Sequence, residues 1–323
     1  MRALICSRLE GIDSLEVGEL PDPELRPGTV RVEVGAAAVN FPDLLLIVGA
    51  YQEQPPLPFS PGMEIAGTVV EVGDGVEGFR PGDRVLGMIG HGGFAEQVVV
   101  APDALVPMPE DVAFEEAAAF PIAYGTSYHA LVDRANLRAG ETLLVLGAAG
   151  GVGLAAVQIG KALGAKVVAA VSSDEKQQVV TGAGADVVVR YDRHDLREAM
   201  REVAPDGVDV VYDPVGDDVT EPAFRSLGWG GRHLVIGFAG GSIPKVAANL
   251  ALLKGASLVG VFWGRFTREE PERNRANFTT LFEWWKEGRV APLVSEVYPL
   301  EKSIDALRKI GGRGAIGRLV VRP

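Results

Sequence analysis

The feature that most constrains this chain is a glycine-rich turn between two apolar segments. Leu143–Leu146 has the composition of a buried strand, and Val152–Leu163 that of a helix. Gly150 leaves room for a phosphate group at the helix N-terminus, and Gly153 lets helix and strand pack closely. Ala148 replaces the usual first glycine, so the motif is A-x-G-x-x-G. The alternative is a tight turn that binds nothing. The predicted cofactor-binding residues of the turn are Ala149, Gly150, Gly151, Val152 and Gly153.

Strand-like and helix-like segments alternate from about residue 122 onward. Strict alternation requires crossover connections and therefore predicts a parallel sheet. The strands are almost continuously apolar, which indicates a sheet covered on both faces. Six strands are the number in a complete doubly wound dinucleotide-binding sheet. They are predicted at Thr142–Leu146, Lys166–Val171, Val187–Arg190, Val208–Tyr212, His233–Ile236 and Ser257–Val261.

The two ends of the chain differ from this middle part. Residues 1–120 contain short apolar runs separated by Pro-Gly and Gly-Asp turns, which predicts a compact β domain. The C-terminal part, with a predicted helix at Ala276–Gly288, is too small for a core of its own. We therefore expect an α/β protein with one β-rich domain from residues 1–122 and 265–323, and one nucleotide domain from residues 123–264.

Composition excludes several classes of function. The 323 residues carry a net charge of −12, which argues against a nucleic-acid or anionic-membrane partner. Cys6 is the single cysteine, so no disulfide framework is possible. Arg8 and Glu10 interrupt any signal-peptide core. The uncharged stretch Thr142–Gly160 contains five glycines and is expected to be buried core. A soluble cytoplasmic protein is the expectation.

No metal site is expected. The four histidines (His91, His129, His194 and His233) and one cysteine are too few and too scattered for a tetrahedral zinc with nitrogen and sulfur ligands. The sequence leaves carboxylate ligands open. Without a Lewis acid, alcohol oxidation lacks its usual electrophile. Activated acceptors such as quinones and conjugated carbonyls are therefore favoured as substrates.

The end of the second strand favours NADPH as the cofactor. An NAD site usually carries an acidic residue there to bind the ribose hydroxyls. This chain has Ser172 and Ser173, followed by Lys176, and these three side chains can bind a 2′-phosphate. Ser173 is also predicted to cap the next helix, which is compatible with that role. Asp174 lies nearby, so NADH stays the alternative.

Motifs along the whole chain resemble the medium-chain dehydrogenase/reductase superfamily. Within it, the chain resembles the zinc-independent NADPH:quinone oxidoreductases related to zeta-crystallin. Asn40 stands where zinc-dependent relatives have a ligating cysteine, and Met63 stands where they have a histidine. The cysteine-rich lobe for a structural zinc is also absent. The matching motifs are Val39–Asp43, Pro61–Gly67, Gly78–Val85, Gly125–Tyr128 and Ala148–Gly153.

This resemblance implies a GroES-like catalytic domain made from both chain ends, an inserted Rossmann domain and a homodimer. It implies that Asn40 and Tyr51 are the catalytic residues facing nicotinamide and substrate. The alternative for Phe262 and Trp263 is plain core packing. The implied cofactor contacts are Thr126 beside the nicotinamide; Ser172, Ser173, Lys176 and Tyr191 around the adenosine and 2′-phosphate; Gly237, Phe238, Phe262, Trp263 and Gly264 on the nicotinamide side; and Arg318 at the phosphate.

The predicted function is hydride transfer from NADPH, without a metal, to a quinone or an α,β-unsaturated carbonyl. A reductase of acyclic activated alkenes, of acrylate or enoyl type, is one alternative, because pocket width is not readable from sequence. An NADPH-binding scaffold or sensor with little turnover is another. The sequence names neither the physiological acceptor nor the number of electrons transferred in each step.

Overall fold

The computed structural model describes all residues, 1–323, and they form two compact units. Unit 1 consists of Met1–Ile122 and Pro292–Pro323, and unit 2 of Ala123–Ala291. The chain therefore leaves unit 1 after residue 122 and returns to it at residue 292. The predicted return after residue 264 is too early.

Strands and helices follow one another in chain order. The strands are β1 (Arg2–Cys6), β2 (Leu15–Glu19), β3 (Val30–Ala38), β4 (Glu64–Val72), β5 (Arg84–Met88), β6 (Gln97–Val100), β7 (Leu105–Pro107), β8 (Thr142–Val145), β9 (Lys166–Val171), β10 (Val187–Arg190), β11 (Val208–Asp213), β12 (Leu227–Val235), β13 (Ser257–Gly260), β14 (Val294–Pro299) and β15 (Arg318–Arg322). The helices are α1 (Phe41–Leu46), α2 (Phe114–Ala118), α3 (Pro121–Tyr128), α4 (Gly151–Ala162), α5 (Asp174–Gly182), α6 (Leu196–Val203), α7 (Thr220–Arg225), α8 (Ala248–Lys254), α9 (Trp263–Glu269), α10 (Pro271–Lys286) and α11 (Ser303–Gly311). A π-helical turn, His129–Arg134, continues α3. No helix is both long and apolar enough to cross a bilayer.

Unit 1 is built on a sheet with the strand order β14-β15-β3-β4-β5-β7, and β6 also pairs with β3. Strand β3 pairs antiparallel with both β4 and β15. Ala38 lies opposite Glu64 on β4 and opposite Val320 on β15. Because antiparallel partners run in opposite directions, Arg318 falls beside Asn40, two residues beyond Ala38. Strand pairing thus brings the end of β3 together with the starts of β4 and β15.

Unit 2 contains the predicted six-stranded sheet. Its order is β10-β9-β8-β11-β12-β13, and every neighbouring pair is parallel. The chain winds outward from β8 to β10 and then resumes on the other side at β11. The carboxyl end of β8 therefore lies at the point where the winding reverses, which is where open α/β sheets bind ligands. The glycine turn begins at Gly147, directly beyond this end of β8.

The segment that the sequence assigned to the first domain, residues 265–291, packs within unit 2 instead. The Trp263 ring covers Gly125, where a Cβ atom would lie 2.4 Å from the ring. The rings of Tyr128 and Trp284 pack with centroids 5.5 Å apart. Asp133 forms an ion pair with Arg273 at 2.7 Å. These contacts keep α9 and α10 with the helices that precede β8, so only residues 292–323 return to unit 1.

Candidate functional site

The glycine turn combines one tightly packed glycine with one open glycine. Gly150 precedes α4 in an extended conformation, with φ −78° and ψ 170°. A Cβ atom at Gly150 would meet only the Gly147 carbonyl oxygen, at an ordinary 3.5 Å. A Cβ at Gly153 would lie 2.3 Å from that same oxygen. The first amides of α4 have no carbonyl partner within the helix. The turn therefore has both the open space and the donors that a phosphate requires.

The predicted 2′-phosphate residues lie together at the carboxyl end of β9. The Lys176 ammonium donates to the Ser172 hydroxyl at 3.3 Å. The Ser173 hydroxyl accepts the Lys176 backbone N–H at 3.2 Å, which confirms Ser173 as the N-cap of α5. Two hydroxyls and one ammonium thus stand where an NAD site would have an acidic side chain.

The acidic neighbour of this group, Asp174, is already paired. Arg190 donates to one Asp174 oxygen, and Arg193 donates to the other at 2.7 Å. Arg190 also binds Asp192 through two nitrogens, at 2.8 and 2.7 Å. The hydrogen bond from Arg190 lowers the pKa of Asp174, so this carboxylate stays ionised and neutralised. Sequence reasoning missed the two arginines, although their position at the end of the third strand of this sheet and just beyond it, on either side of Tyr191, was a usable signal.

In unit 1, Asn40 lies inside a buried polar cluster. Its side chain is 3% exposed. The amide nitrogen donates to the Ala38 carbonyl at 3.1 Å and to Glu64 Oε1 at 2.9 Å. The amide oxygen accepts from Arg318 Nη1 at 3.0 Å. Arg318 Nη2 donates to Glu64 Oε1, and the Ile122 backbone N–H donates to Glu64 Oε2 at 2.7 Å. Strand register thus assembles a closed group of three side chains: Asn40, Glu64 and Arg318.

A second buried carboxylate, Asp43, fixes the backbone around this cluster. It accepts the Asn40 N–H at 2.8 Å and the Gly62 N–H at 3.1 Å. Burial raises the pKa of Asp43 to about 7, against the two hydrogen bonds that favour its ionised form. Burial also raises the pKa of Glu64, and the nearby Arg318 opposes that shift. Sequence reasoning missed both carboxylates, although Asp43 and Glu64 stand in two of the matching motifs.

The raised pKa of Asp43 gives an expected pH dependence. The folded chain holds this proton at pH values where the unfolded chain has released it, so the free energy of unfolding falls as pH rises toward about 7. We expect a loss of about 2 kcal/mol between about pH 5.5 and pH 8. Urea unfolding across this range measures it, and Asp43→Asn should make the curve less steep. Glu64 and Arg318, the other charged groups of the cluster, remain in that variant. A parent curve as flat as that of the variant would contradict the assignment.

Asp213, at the carboxyl end of β11, fixes a loop that sequence reasoning did not single out. Its carboxylate accepts the Gly216 N–H at 2.8 Å and the Thr220 hydroxyl at 2.6 Å. His233 Nε2 lies 3.1 Å from the same carboxylate. A Cβ at Gly216 would lie 2.8 Å from the ring of Phe238. The network thus holds the loop against the segment that contains the predicted residues Gly237 and Phe238.

The remaining predicted residues occupy several environments. Tyr51 follows α1, is partly buried and packs against the apolar core of unit 1. Phe262 is 47% exposed, whereas Trp263 is buried and donates its indole N–H to Asn274 at 3.1 Å. Arg318 Nε is buried without a partner. Its expected phosphate contact stays a prediction, as do the cofactor contacts of the half-buried Thr126, Tyr191 and Gly264.

Comparison with known proteins relates both units to oxidoreductases. A model of the alcohol dehydrogenase GroES-like domain matches residues 26–110, and a model of the zinc-binding dehydrogenase family matches residues 151–280. Quinone oxidoreductase-like protein 2 from Bos taurus is 41% identical, over 99% of this chain and 92% of its own length. The VAT-1 homolog of Rattus norvegicus, a synaptic vesicle membrane protein, is 33% identical over 100% of this chain and 84% of its own length.

A solved structure gives the same relationship at the level of the fold. The quinone oxidoreductase of Thermus thermophilus, solved also in its complex with NADPH, matches with a TM-score of 0.87 and 35% identity. The match covers 100% of both chains. The β-rich sheet, the six-stranded parallel sheet and the glycine turn all agree with this relationship. The chain therefore belongs to the medium-chain dehydrogenase/reductase family, in the branch of the zeta-crystallin-like quinone oxidoreductases.

Proposed function

We propose that this protein is an NADPH-dependent reductase that transfers hydride to a quinone or an α,β-unsaturated carbonyl without a metal. The observation that carries the proposal is the group at the end of β9. Lys176 and Ser172 lie together there, and Asp174 is neutralised by two arginines. The resulting site suits a 2′-phosphate, because its cation and hydroxyls are not opposed by a free carboxylate. NADPH in the complex of the Thermus thermophilus relative supports the same cofactor.

Different residues of the chain would bind the cofactor and orient the acceptor. Bound NADPH would supply the hydride, and a proton from water would complete the reduction of the acceptor. The amides of α4 from Gly151 to Gly153 would bind the pyrophosphate, since the Gly150 N–H already donates to the Gly147 carbonyl, and Lys176 would bind the 2′-phosphate. The Tyr51 hydroxyl would donate a hydrogen bond to the oxygen on which negative charge develops. Most of the rate enhancement would then come from orientation rather than from acid–base chemistry.

The metal-free part of the proposal is supported by the partners of Glu64. Its two oxygens accept from Asn40, Arg318 and the Ile122 backbone, so both are engaged by donors. No three side chains among histidine, cysteine, aspartate and glutamate come close enough together to hold an ion. An arginine beside this carboxylate would also repel a cation. We expect activity that a chelator does not change.

The first experiment is steady-state oxidation of NADPH, and separately of NADH, with a panel of acceptors. The panel contains a benzoquinone, a naphthoquinone, an enone and an acrylate, each with and without chelator. NADPH-preferring turnover that is insensitive to chelator supports the proposal. The acrylate as the best acceptor would favour the alkene reductase instead. Tight NADPH binding without turnover on any acceptor would contradict a reductase and favour a scaffold.

Removal of the Tyr51 hydroxyl should have a modest effect. Tyr51→Phe keeps the ring that packs on the core of unit 1 and deletes only the hydrogen-bond donor. We expect kcat to fall by about fivefold, with KM for NADPH unchanged, because one donor to a developing charge is lost. Tyr298→Phe is the control, since its hydroxyl donates to Glu296 elsewhere in unit 1. A loss above about a thousandfold would mean that Tyr51 is a required proton donor.

We further propose that the protein is a homodimer formed through the edge of the parallel sheet. Strand β13 is the last strand of that sheet, so one of its edges has no partner. Exposed apolar side chains lie on β13, on the segment before it or against that segment: Leu258 is on the strand, Leu252 in the preceding helix α8 is 80% exposed, and Trp229, 85% exposed, has its ring against Gly255 just before the strand. An open edge beside an apolar patch suits pairing with the same edge of a second copy, because a two-fold axis makes one surface complementary to itself.

The dimer proposal predicts a clear change in mass. Trp229→Lys combined with Leu258→Lys should give a monomer in sedimentation analysis, because two charges at the proposed interface would be desolvated. Leu9→Lys is the control, since Leu9 is an exposed leucine of unit 1. A dimer that persists in the double variant would place the interface elsewhere.

We also propose that the protein acts in the cytoplasm. Cys6, the single cysteine, is free and buried, so the fold needs no oxidising compartment. Cell fractionation tests this location.

A further inference from the structure

Asn40 offers no hydrogen-bond donor to a bound substrate. A side-chain amide has two hydrogens, and here one points to the Ala38 carbonyl and the other to Glu64 Oε1. We propose, on the basis of the reductase function above, that Asn40 is a positioning residue and that Glu64, held by Arg318, fixes its orientation. The resemblance to the family assigns to Asn40 a direct role beside substrate and nicotinamide, and the hydrogen bonds of the cluster point to a different one.

The orientation of the Asn40 amide follows from its neighbours. Rotating the amide by half a turn would point its oxygen at the Ala38 carbonyl and at Glu64, and its two hydrogens at Arg318. Each of these three contacts would then join acceptor to acceptor or donor to donor. The network therefore permits one orientation of the amide, and in that orientation both hydrogens are already used.

The cluster fixes the start of α1 and the segment that leads to Tyr51. Asn40 is the residue immediately before α1, and its backbone N–H donates to Asp43 in the first turn. The Asp43 carbonyl accepts the Ile47 N–H at 3.2 Å, and the Leu45 carbonyl accepts the Ala50 N–H at 2.9 Å. Hydrogen bonds thus run from the cluster to the residue before Tyr51. Glu64 and Arg318 would act on the reaction through this segment and would not touch the acceptor.

An exchange of the amide and the carboxylate tests the proposal. Asn40→Asp removes both donors and places a second carboxylate against Glu64, so we expect kcat to fall by about 10- to 100-fold. Glu64→Gln leaves Arg318 without its carboxylate, and we expect a loss of similar size. In the Asn40→Asp/Glu64→Gln double variant, the carboxylate at position 40 faces Arg318 and the amide at position 64 donates to it. The exchange restores the charge balance of the cluster but leaves the new carboxylate facing the Ala38 carbonyl and the new amide facing Arg318, so we expect partial recovery, with kcat about 10-fold above that of Asn40→Asp.

The opposite result would overturn the proposal. If Asn40 donates to the acceptor, the exchanged variant lacks that donor and stays as slow as Asn40→Asp, although it melts and binds NADPH like the parent. Absence of turnover in the parent chain would instead refute the proposed reductase. A dead exchanged variant beside an active parent refutes only the role assigned to Asn40, so the two failures are distinguishable.

A measurement on the parent chain covers the case in which the exchanged variant does not fold. The chain has five asparagines, so selective ¹⁵N labelling of asparagine gives five pairs of side-chain amide signals, and Asn40→Asp identifies one pair. The parent is saturated with NADP⁺, and 1,4-naphthoquinone is added, since these two oxidised compounds do not react with each other. We expect slow hydrogen exchange at the Asn40 amide and no shift on addition of the quinone. A strong shift of that pair of signals would show direct donation and overturn the proposal.

Discussion

Gly150→Ala should leave the fold intact and weaken NADPH binding by about 10- to 100-fold, because charge-assisted hydrogen bonds to a phosphate would be lost. The backbone at Gly150 has φ −78° and ψ 170°, which alanine adopts without strain. The added methyl group would touch only the Gly147 carbonyl oxygen, at 3.5 Å. The methyl group would therefore hinder a phosphate that approaches the turn from solvent, and it would leave the packing of the fold unchanged.

Gly153→Ala is the matched variant with the opposite outcome. Its methyl group would lie 2.3 Å from the Gly147 carbonyl oxygen and 2.8 Å from the Ala148 Cα, so α4 would have to move away from β8. We expect a loss of about 1–3 kcal/mol in the free energy of unfolding, as for other overpacked sites. Thermal unfolding and NADPH fluorescence titration separate the two effects. Unchanged NADPH affinity in a stable Gly150→Ala variant would mean that the pyrophosphate does not bind at this turn.

The local structure of the proposed nucleotide site could be predicted from sequence because its determinants are local. Gly150, Gly153 and Ser173 lie within a few residues of the strand end that precedes them, so spacing alone predicts the turn, the close packing of helix and strand, and the helix cap. The six strands of the parallel sheet were equally readable, since each is a short apolar run followed by a helix. The pairing of Asp174 with Arg190 was harder to predict from sequence, because Arg190 lies 16 residues away and reaches Asp174 only through the pairing of β9 with β10.

The cluster in unit 1 could not be predicted in the same way. Arg318 is separated from Asn40 by 278 residues and from Glu64 by 254. The three residues meet through the register of β3 with β4 and β15, and no local pattern specifies that register. Family resemblance supplied Asn40 and Arg318 as separate site residues, without the contact that joins them. Glu64, which has contacts to both, carried no separate signal.

The predicted domain boundary at residue 264 was wrong for a similar reason: it depends on long-range packing. From sequence, helix α10 belongs to a tail too small to have its own core, and the β domain offers one large core to cover it. Its buried residues Phe278 and Trp284 instead pack in unit 2, where Tyr128 lies beside Trp284. Amphipathic character shows that a helix must be covered, but it does not identify the covering surface.

Lys176→Ala should change the choice of cofactor rather than the fold. Lys176 is the cation that donates to Ser172, whereas Arg190 and Arg193 are engaged with Asp174. We expect KM for NADPH to rise by about 10- to 100-fold, because a charge-assisted contact contributes about 1.5–3 kcal/mol, while KM for NADH stays unchanged. Lys166→Ala is the control, since Lys166 begins the same strand β9 at its opposite end.

The salt dependence adds a second readout for Lys176. Attraction between an ammonium and a 2′-phosphate is screened by added salt, so the preference of the parent for NADPH over NADH should shrink as ionic strength rises. The preference of the Lys176→Ala variant, which lacks this attraction, should hardly respond. If the variant keeps the parent's preference at every salt concentration, Lys176 does not bind the phosphate. The cation that selects NADPH would then have to be Arg190 or Arg193. Either arginine would have to leave Asp174 to bind the phosphate. A carboxylate would then lie unpaired beside the ribose, and that arrangement favours NADH instead.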